Sequence, residues 1–235
     1  MRIDIWSDIM CPFCYIGKRR LENALDQFPQ KDQVEVVWHS YQLDPELQHV
    51  PGQTINEMLA QKKGWSVQQA KKMNDQVVAM ANEVNLNYDL DKAIPANTFD
   101  AHRLIHLAAK HHLQDQAKEQ LLAAYFTAGK NVGDAETLVQ IGTEIGLPET
   151  EIREMLASNK YANEVLLDGY QAQQMGISGV PFFVLNQKYG ISGAQPSEAF
   201  LQALNKVWDE EKPAIVSLNN LDENGAVCSD GVCTD

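Results

Sequence analysis

The chain has 235 residues, 44% of them hydrophobic, with 19 Lys and Arg against 32 Asp and Glu. That length buries a full core without disulfide or metal staples. A net charge of -13 excludes a nucleic acid or an anionic membrane as partner, because neutralising phosphates needs an excess of basic residues.

No apolar run reaches the roughly 18 residues that span a bilayer, and "MRIDIWSDIM" lacks the long apolar stretch of a secretory signal. The expected location is therefore cytoplasmic. In a reducing compartment, four cysteines in two close pairs point to catalytic, redox-sensing or metal chemistry before structural bridging.

"RIDIWS", residues 2 to 7, alternates Ile3 and Ile5 with Arg2 and Asp4 and predicts a short strand. Residues 12 to 28 place Ile16, Leu21, Ala24, Leu25 and Phe28 at mostly three- and four-residue spacing, as an amphipathic helix requires. "VEVVWHSYQL", residues 34 to 43, is β-branched and aromatic and predicts the next strand.

From about Thr54 to Met175 the pattern changes to long helical runs, punctuated by Gly64, Gly129, Gly146 and Pro148. The last of them reads as one helix from Glu149 to Gly176. Strand character returns in "VPFFVLN", residues 180 to 186, followed by "KYGISG" and a closing helix from Pro196 to about Trp208. Because strands occur only near the two ends, the helical block is an insertion. Residues 1–53 and 176–209 form one α/β domain, 54–175 an all-helical inserted domain, and 210–235 an acidic, turn-rich tail.

The strand runs into "CPFC", residues 11 to 14. Cys11 falls at the N-cap of the following helix and Pro12 at its first position, where the missing N–H of proline does no harm. Unpaired N–H groups of the first turn then favour the Cys11 thiolate, with pKa values at such sites of roughly 3.5 to 7.5. Cys14, one turn on, would resolve a mixed disulfide formed at Cys11. Phe13 offers neither charge nor donor, Asp8 opposes ionisation, and the help of Lys18, Arg19 and Arg20, one to two turns on, is partly screened.

Half of a zinc site is the competing reading of this pair. A closed zinc site needs four ligands, and the only other cysteines lie in the remote tail, so no metal is expected. There "CSDGVC" brackets Asp230-Gly231, a two-residue hairpin signal that would set Cys228 opposite Cys233 within disulfide reach. The tail pair is either a second redox pair or a clip.

His102 and His106 lie four apart, but Arg103 stands where a zinc-protease helix carries Glu, so both read as ordinary helix residues. "FTAGKNVGD" lacks the spacing of a phosphate loop. Trp6, Trp38, Tyr41, Phe182 and Phe183 fall on predicted strands, where packing is the default.

"CPFC" at the first helix, the central helical block and "GISGVPFFV", residues 176 to 184, together resemble the DsbA-like thioredoxin-fold family, most closely its FrnE-type cytosolic branch. The resemblance covers essentially the whole chain. It implies a thioredoxin fold with a large all-helical insertion and thiol-disulfide oxidoreductase activity on protein or small-molecule disulfides and thiols. It also implies a cis Val180–Pro181 bond facing the cysteines, with Pro12, Phe13, Val180 and Pro181 lining the substrate path, and a relay role for Cys228 and Cys233, since FrnE-type proteins carry a C-terminal C-x4-C.

The same architecture hosts glutathione-dependent isomerases and kappa-type transferases, which makes glutathione a conceivable co-substrate although no bound cofactor is expected. Those enzymes commonly carry serine where this chain has Cys11, which favours disulfide exchange. A redox-sensing or zinc-responsive binding protein is the non-enzymatic alternative. Oligomeric state and direction of electron flow are left open.

Overall fold

The computed structural model describes residues 1–211. Four strands, β1 (Arg2–Ser7), β2 (Glu35–Ser40), β3 (Phe182–Leu185) and β4 (Tyr189–Ser192), form one sheet in the order β2-β1-β3-β4. β1 and β2 are parallel, while β3 runs antiparallel to both β1 and β4. A parallel pair needs a crossover, and helix α1 (Pro12–Leu25) supplies it.

Seven helices separate β2 from β3: α2 (Ile55–Lys63), α3 (Val67–Asn82), α4 (Phe99–Lys110), α5 (Gln114–Phe126), α6 (Ala135–Glu144), α7 (Glu149–Leu156) and α8 (Ala162–Gln174). Helix α9 (Ser197–Glu211) follows β4 and packs on α1, where Trp208 meets Phe28 edge-on at 5.9 Å. This is the mixed α/β arrangement that the alternation of patterns predicts. Among the described residues no helix is long and apolar enough to cross a membrane.

Two predicted elements are cut short by polar contacts from distant parts of the chain. β2 ends at Ser40 instead of Leu43, because the Leu43 N–H turns away from the sheet to donate to the Asp8 carboxylate at 2.7 Å. The helix predicted over 149–176 is two helices, with Tyr161 at φ 64 between them. Arg103 of α4 makes that break. Its guanidinium donates to the carbonyls of Met155 and Ser158 at the end of α7, and to Lys160 O at 2.8 Å. Carbonyls left unpaired at a helix end are thereby satisfied from outside.

The free edge of β2 is closed by a side chain. Gln114 accepts from Trp38 N at 3.1 Å and donates to Trp38 O at 2.9 Å, so its amide stands where a further strand would pair. Beneath the sheet, Ile3, Ile5, Ile16, Phe183, Phe200 and Leu204 are fully buried and make one core continuous with the helical block.

Candidate functional site

Cys11 is the N-cap of α1, extended at φ -90 and ψ 112, and Pro12 occupies the first turn, as the strand-to-helix junction predicts. No side chain caps this end. Cys11 is 3% exposed and Cys14 0%, both as free thiols. Thus Cys11 is the sulfur nearer the surface and Cys14 lies wholly behind it.

The loop before β3 completes the site. The Val180–Pro181 bond is cis, and the Cys11 thiol donates to the Val180 carbonyl at 3.4 Å. Phe13, 40% exposed, stands on the rim, and the Pro12 carbonyl accepts from Tyr88 Oη at 2.7 Å. Cys11, Pro12, Phe13, Cys14, Val180 and Pro181 therefore share one locality, whereas Cys228 and Cys233 lie outside the described residues.

Gly17 makes this closeness possible. A Cβ there would sit 3.0 Å from Pro181 Cγ and 3.2 Å from Phe183 Cζ, so α1 can press against the proline loop only without a side chain. Gly17→Val drives two further methyl groups into that contact. Unfolding in urea should show a loss of about 1–3 kcal/mol; an unchanged midpoint would mean the loop yields freely.

The surroundings of Cys11 oppose the ionisation that its place at the helix N-terminus favours. Its pKa is well above the ordinary thiol value, because of the hydrogen bond with Cys14, burial, and the negative charges of Cys14 and Asp8. For Cys14 burial also opposes ionisation. It is outweighed by the hydrogen bond from Cys11, the positive charge of Lys118 and the Asp8 backbone, so the Cys14 pKa falls. Two thiols this close lose their protons as a pair. The basic residues after the motif act elsewhere. Lys18 and Arg19 pair with Glu22 and Glu119, and Arg20 donates to Ala194 O at 2.6 Å.

Lys118 and the partners of Asp8 are what the sequence reading missed. Asp8 is fully buried, accepts from Leu43 N at 2.7 Å and lies 3.2 Å from His102 Nε2. Burial works against its charge, but the bonds to His102, Leu43 and Thr98 hold its pKa below the usual carboxylate value. Burial lowers the His102 pKa in turn, outweighing the attraction of Asp8. The signal for Lys118 was present in α5, where it shares an i, i+3, i+4, i+7 face with Leu121, Leu122 and Tyr125, all fully buried. A lysine inside an apolar stripe marks a buried charge with a task.

No group of His, Cys, Asp and Glu among the described residues is arranged to hold a metal ion. The site offers instead an accessible sulfur, a sulfur behind it and a carbonyl-bearing loop, which suits thiol-disulfide exchange.

Comparison with known proteins agrees with this chemistry. The profile of the DSBA-like thioredoxin domain matches residues 2–205. A crystal structure of a probable DsbA oxidoreductase from Streptomyces coelicolor is 40% identical, covers 100% of this chain and 99% of its own, and superposes with a TM-score of 0.84. The uncharacterized protein YwbO of Bacillus subtilis is 25% identical over 216 residues, 90% of this chain and 98% of that protein. The cytosolic disulfide reductase DsbM of Pseudomonas aeruginosa, 14% identical with a TM-score of 0.63 over 89% of this chain and 100% of its own, shares the fold. The chain belongs to the DSBA-like thioredoxin domain family, a family of thiol-disulfide oxidoreductases and isomerases.

Proposed function

We propose that the chain is a cytoplasmic, FrnE-type oxidoreductase whose working pair is Cys11 and Cys14. The observation that carries this reading is the placement of the Cys11 sulfur 3.4 Å from the Val180 carbonyl, at the mouth of the site, with Cys14 fully buried behind it. Two free thiols one helical turn apart in a chain without need of a staple suit a reducing compartment.

The steps follow from the shared proton. The two sulfurs titrate as a pair, so one proton can be held between them. When a substrate disulfide displaces the Cys11 thiol from the Val180 carbonyl, that proton passes to Cys14 and the Cys11 thiolate attacks. One substrate sulfur bonds to Cys11 and the other leaves as a thiolate. Cys14, deprotonated again, then attacks Cys11 Sγ, forming the internal disulfide and releasing the second substrate thiol. Run backwards, the same steps oxidise a dithiol. An extended substrate chain would lie along residues 178–181, since Pro181 contributes no N–H and leaves the adjacent backbone to a guest.

Insulin reduction with a thiol recycling the enzyme tests the proposal. Turnover is expected in the wild type and should vanish in Cys11→Ser. Turnover that survives this substitution would assign the activity to other residues.

A further inference from the structure

Helix α8 and the loop after β2 enclose a groove of about 360 Å³, within the range of about 300–1,000 Å³ that ligand pockets occupy. Tyr41 and Pro45 line it from the loop, Val165, Leu166 and Gly169 from the helix, and Ile177 from the turn that leads to Val180. Gln42 and Gln173 add amides, and none of the described residues that line it is charged. An uncharged wall on a chain of net charge -13 suits an apolar guest, since a buried charge would find no partner there. Leu166 is 62% exposed, and Tyr170, one turn further along α8, and Leu43, next to Gln42, are exposed as well. Apolar side chains gathered at one groove mark a contact surface.

Gly169 is the second observation. It lies inside α8, where glycine weakens a helix relative to alanine. The fold gives no reason for it, because a Cβ at this position would meet nothing within 4 Å. Bare backbone facing open space in a groove leaves room for the close approach of a guest.

The groove is continuous with the exchange site. Ile177 and Ala172 belong to the buried cluster that includes Trp6 and Val184, and both Tyr41 and Val180 pack against that cluster. Val180 is the residue whose carbonyl accepts from the Cys11 thiol. Ile177 precedes it by three residues, a span of at most about 10 Å.

We propose that this groove selects the substrate, taking an apolar side chain of an extended polypeptide about three residues from the cysteine that reacts with Cys11. This rests on the Cys11–Cys14 exchange proposed above and names its substrate class, a disulfide carried by an unfolded or extended chain. Glutathione, with a single residue on either side of its cysteine, is too short to reach Ile177 from Cys11.

Short peptides with one cysteine, held as mixed disulfides with nitrothiobenzoate and carrying leucine or serine three residues to either side, test this with the full chain. The Cys11 thiolate bonds the peptide sulfur, the peptide–nitrothiobenzoate bond breaks, and the aromatic thiol, the better leaving group, departs as a coloured thiolate. Cys14 then forms the internal disulfide and the peptide leaves as its thiol. For the better side, kcat/KM should be about tenfold higher with leucine than with serine.

Gly169→Leu occupies the groove from α8 and should bring that ratio to within about twofold of one. Leucine is a good helix former and its Cβ meets no neighbour, so the variant should fold at least as stably. Leu166→Ser, which thins the wall at an exposed position, should lower the ratio as well. A wild-type ratio near one, or a ratio unchanged in both variants, would overturn the proposal. Variants altered only in sedimentation, or only in alkylation of Cys228 and Cys233, would give the groove to a second copy or to the chain's own tail and overturn it too. The exchange itself is judged separately. Thiolate release that survives Cys11→Ser strikes the Cys11–Cys14 reading, whereas release that needs Cys11 and ignores the side chain strikes the groove alone.

Discussion

Cys14→Ser is expected to lower insulin turnover by at least about 100-fold while making Cys11 react faster with iodoacetamide at neutral pH. The first effect follows from geometry. Cys14 is buried against Cys11 one helical turn away, and an oriented intramolecular nucleophile is worth far more than millimolar external thiol, with effective molarities of about 10⁵ M or more. Without it the mixed disulfide waits for a bimolecular rescue, and substrate should accumulate as a reducible adduct on Cys11 in non-reducing gels. The second effect comes from the electrostatics, since the hydrogen bond and the negative charge of Cys14 are the contributions of that residue that hold the Cys11 pKa up. Removing them lets Cys11 ionise more readily. Misfolding would also lower turnover and expose the buried Cys11 to alkylation, so the two changes support the assignment when the urea midpoint of the variant matches the wild type. An active variant without adducts would end the assignment of Cys14 as resolving residue.

The parts of the site that obey local rules were legible in the chain. A strand, a cysteine N-cap and a proline at the first helical position are set by neighbours in sequence, and they stand where "SDIMCPFC" puts them. The Val180–Pro181 loop was legible only through family resemblance, because nothing within "SGVPFF" states what it faces. What sets the charge on the cysteines was not legible. The visible cations Lys18, Arg19 and Arg20 spend themselves on Glu22, Glu119 and Ala194. The cation that matters, Lys118, lies 104 positions beyond Cys14 by the difference of their numbers. Asp8 looked like a local antagonist of the thiolate, but its carboxylate is also the hub that draws Leu43 away from the sheet and joins α4 through His102. The same limit explains the break between α7 and α8, which depends on Arg103 rather than on any glycine or proline near it. Buried polar contacts between distant segments have no periodic signature, so pattern reading finds the elements and misses what cuts them.

Asp168→Ala is expected to cost about 3–5 kcal/mol of unfolding free energy, the range for removing one partner from a buried, hydrogen-bonded ion pair. Asp168 of α8 accepts from Ser40 N at 2.7 Å, lies 2.8 Å from His39 Nδ1 and 3.2 Å from His106 Nε2. Its carbonyl also takes the Trp6 indole N–H at 3.0 Å. His39 is clamped on its other nitrogen by Asp4 at 2.8 Å and stacked on Trp6 at 4.4 Å. One carboxylate thus ties the last inserted helix to β2, on the flank of the sheet that ends at the cysteines. Alanine leaves the Ser40 amide without its acceptor and half of the His39 clamp empty; asparagine, which still accepts from Ser40, should cost less. Burial opposes both charges in this pair. For Asp168 the bonds from His106, His39 and Ser40 overcome it and drive the pKa down, and for His39 the bonds to Asp168 and Asp4 overcome it and drive the pKa up. A depressed carboxylate stabilises the fold above its unfolded value of about 3.9, and the contribution is lost as pH falls through the folded value. A raised histidine stabilises it fully below about 6.5, and the contribution is lost as pH rises through the folded value. The gap between wild type and Asp168→Ala should therefore be widest between about pH 4 and 6.5 and narrow on either side. Urea midpoints at pH 5, 7 and 9 measure it, and a gap that is flat across them would mean that His39 is neutral in the folded chain.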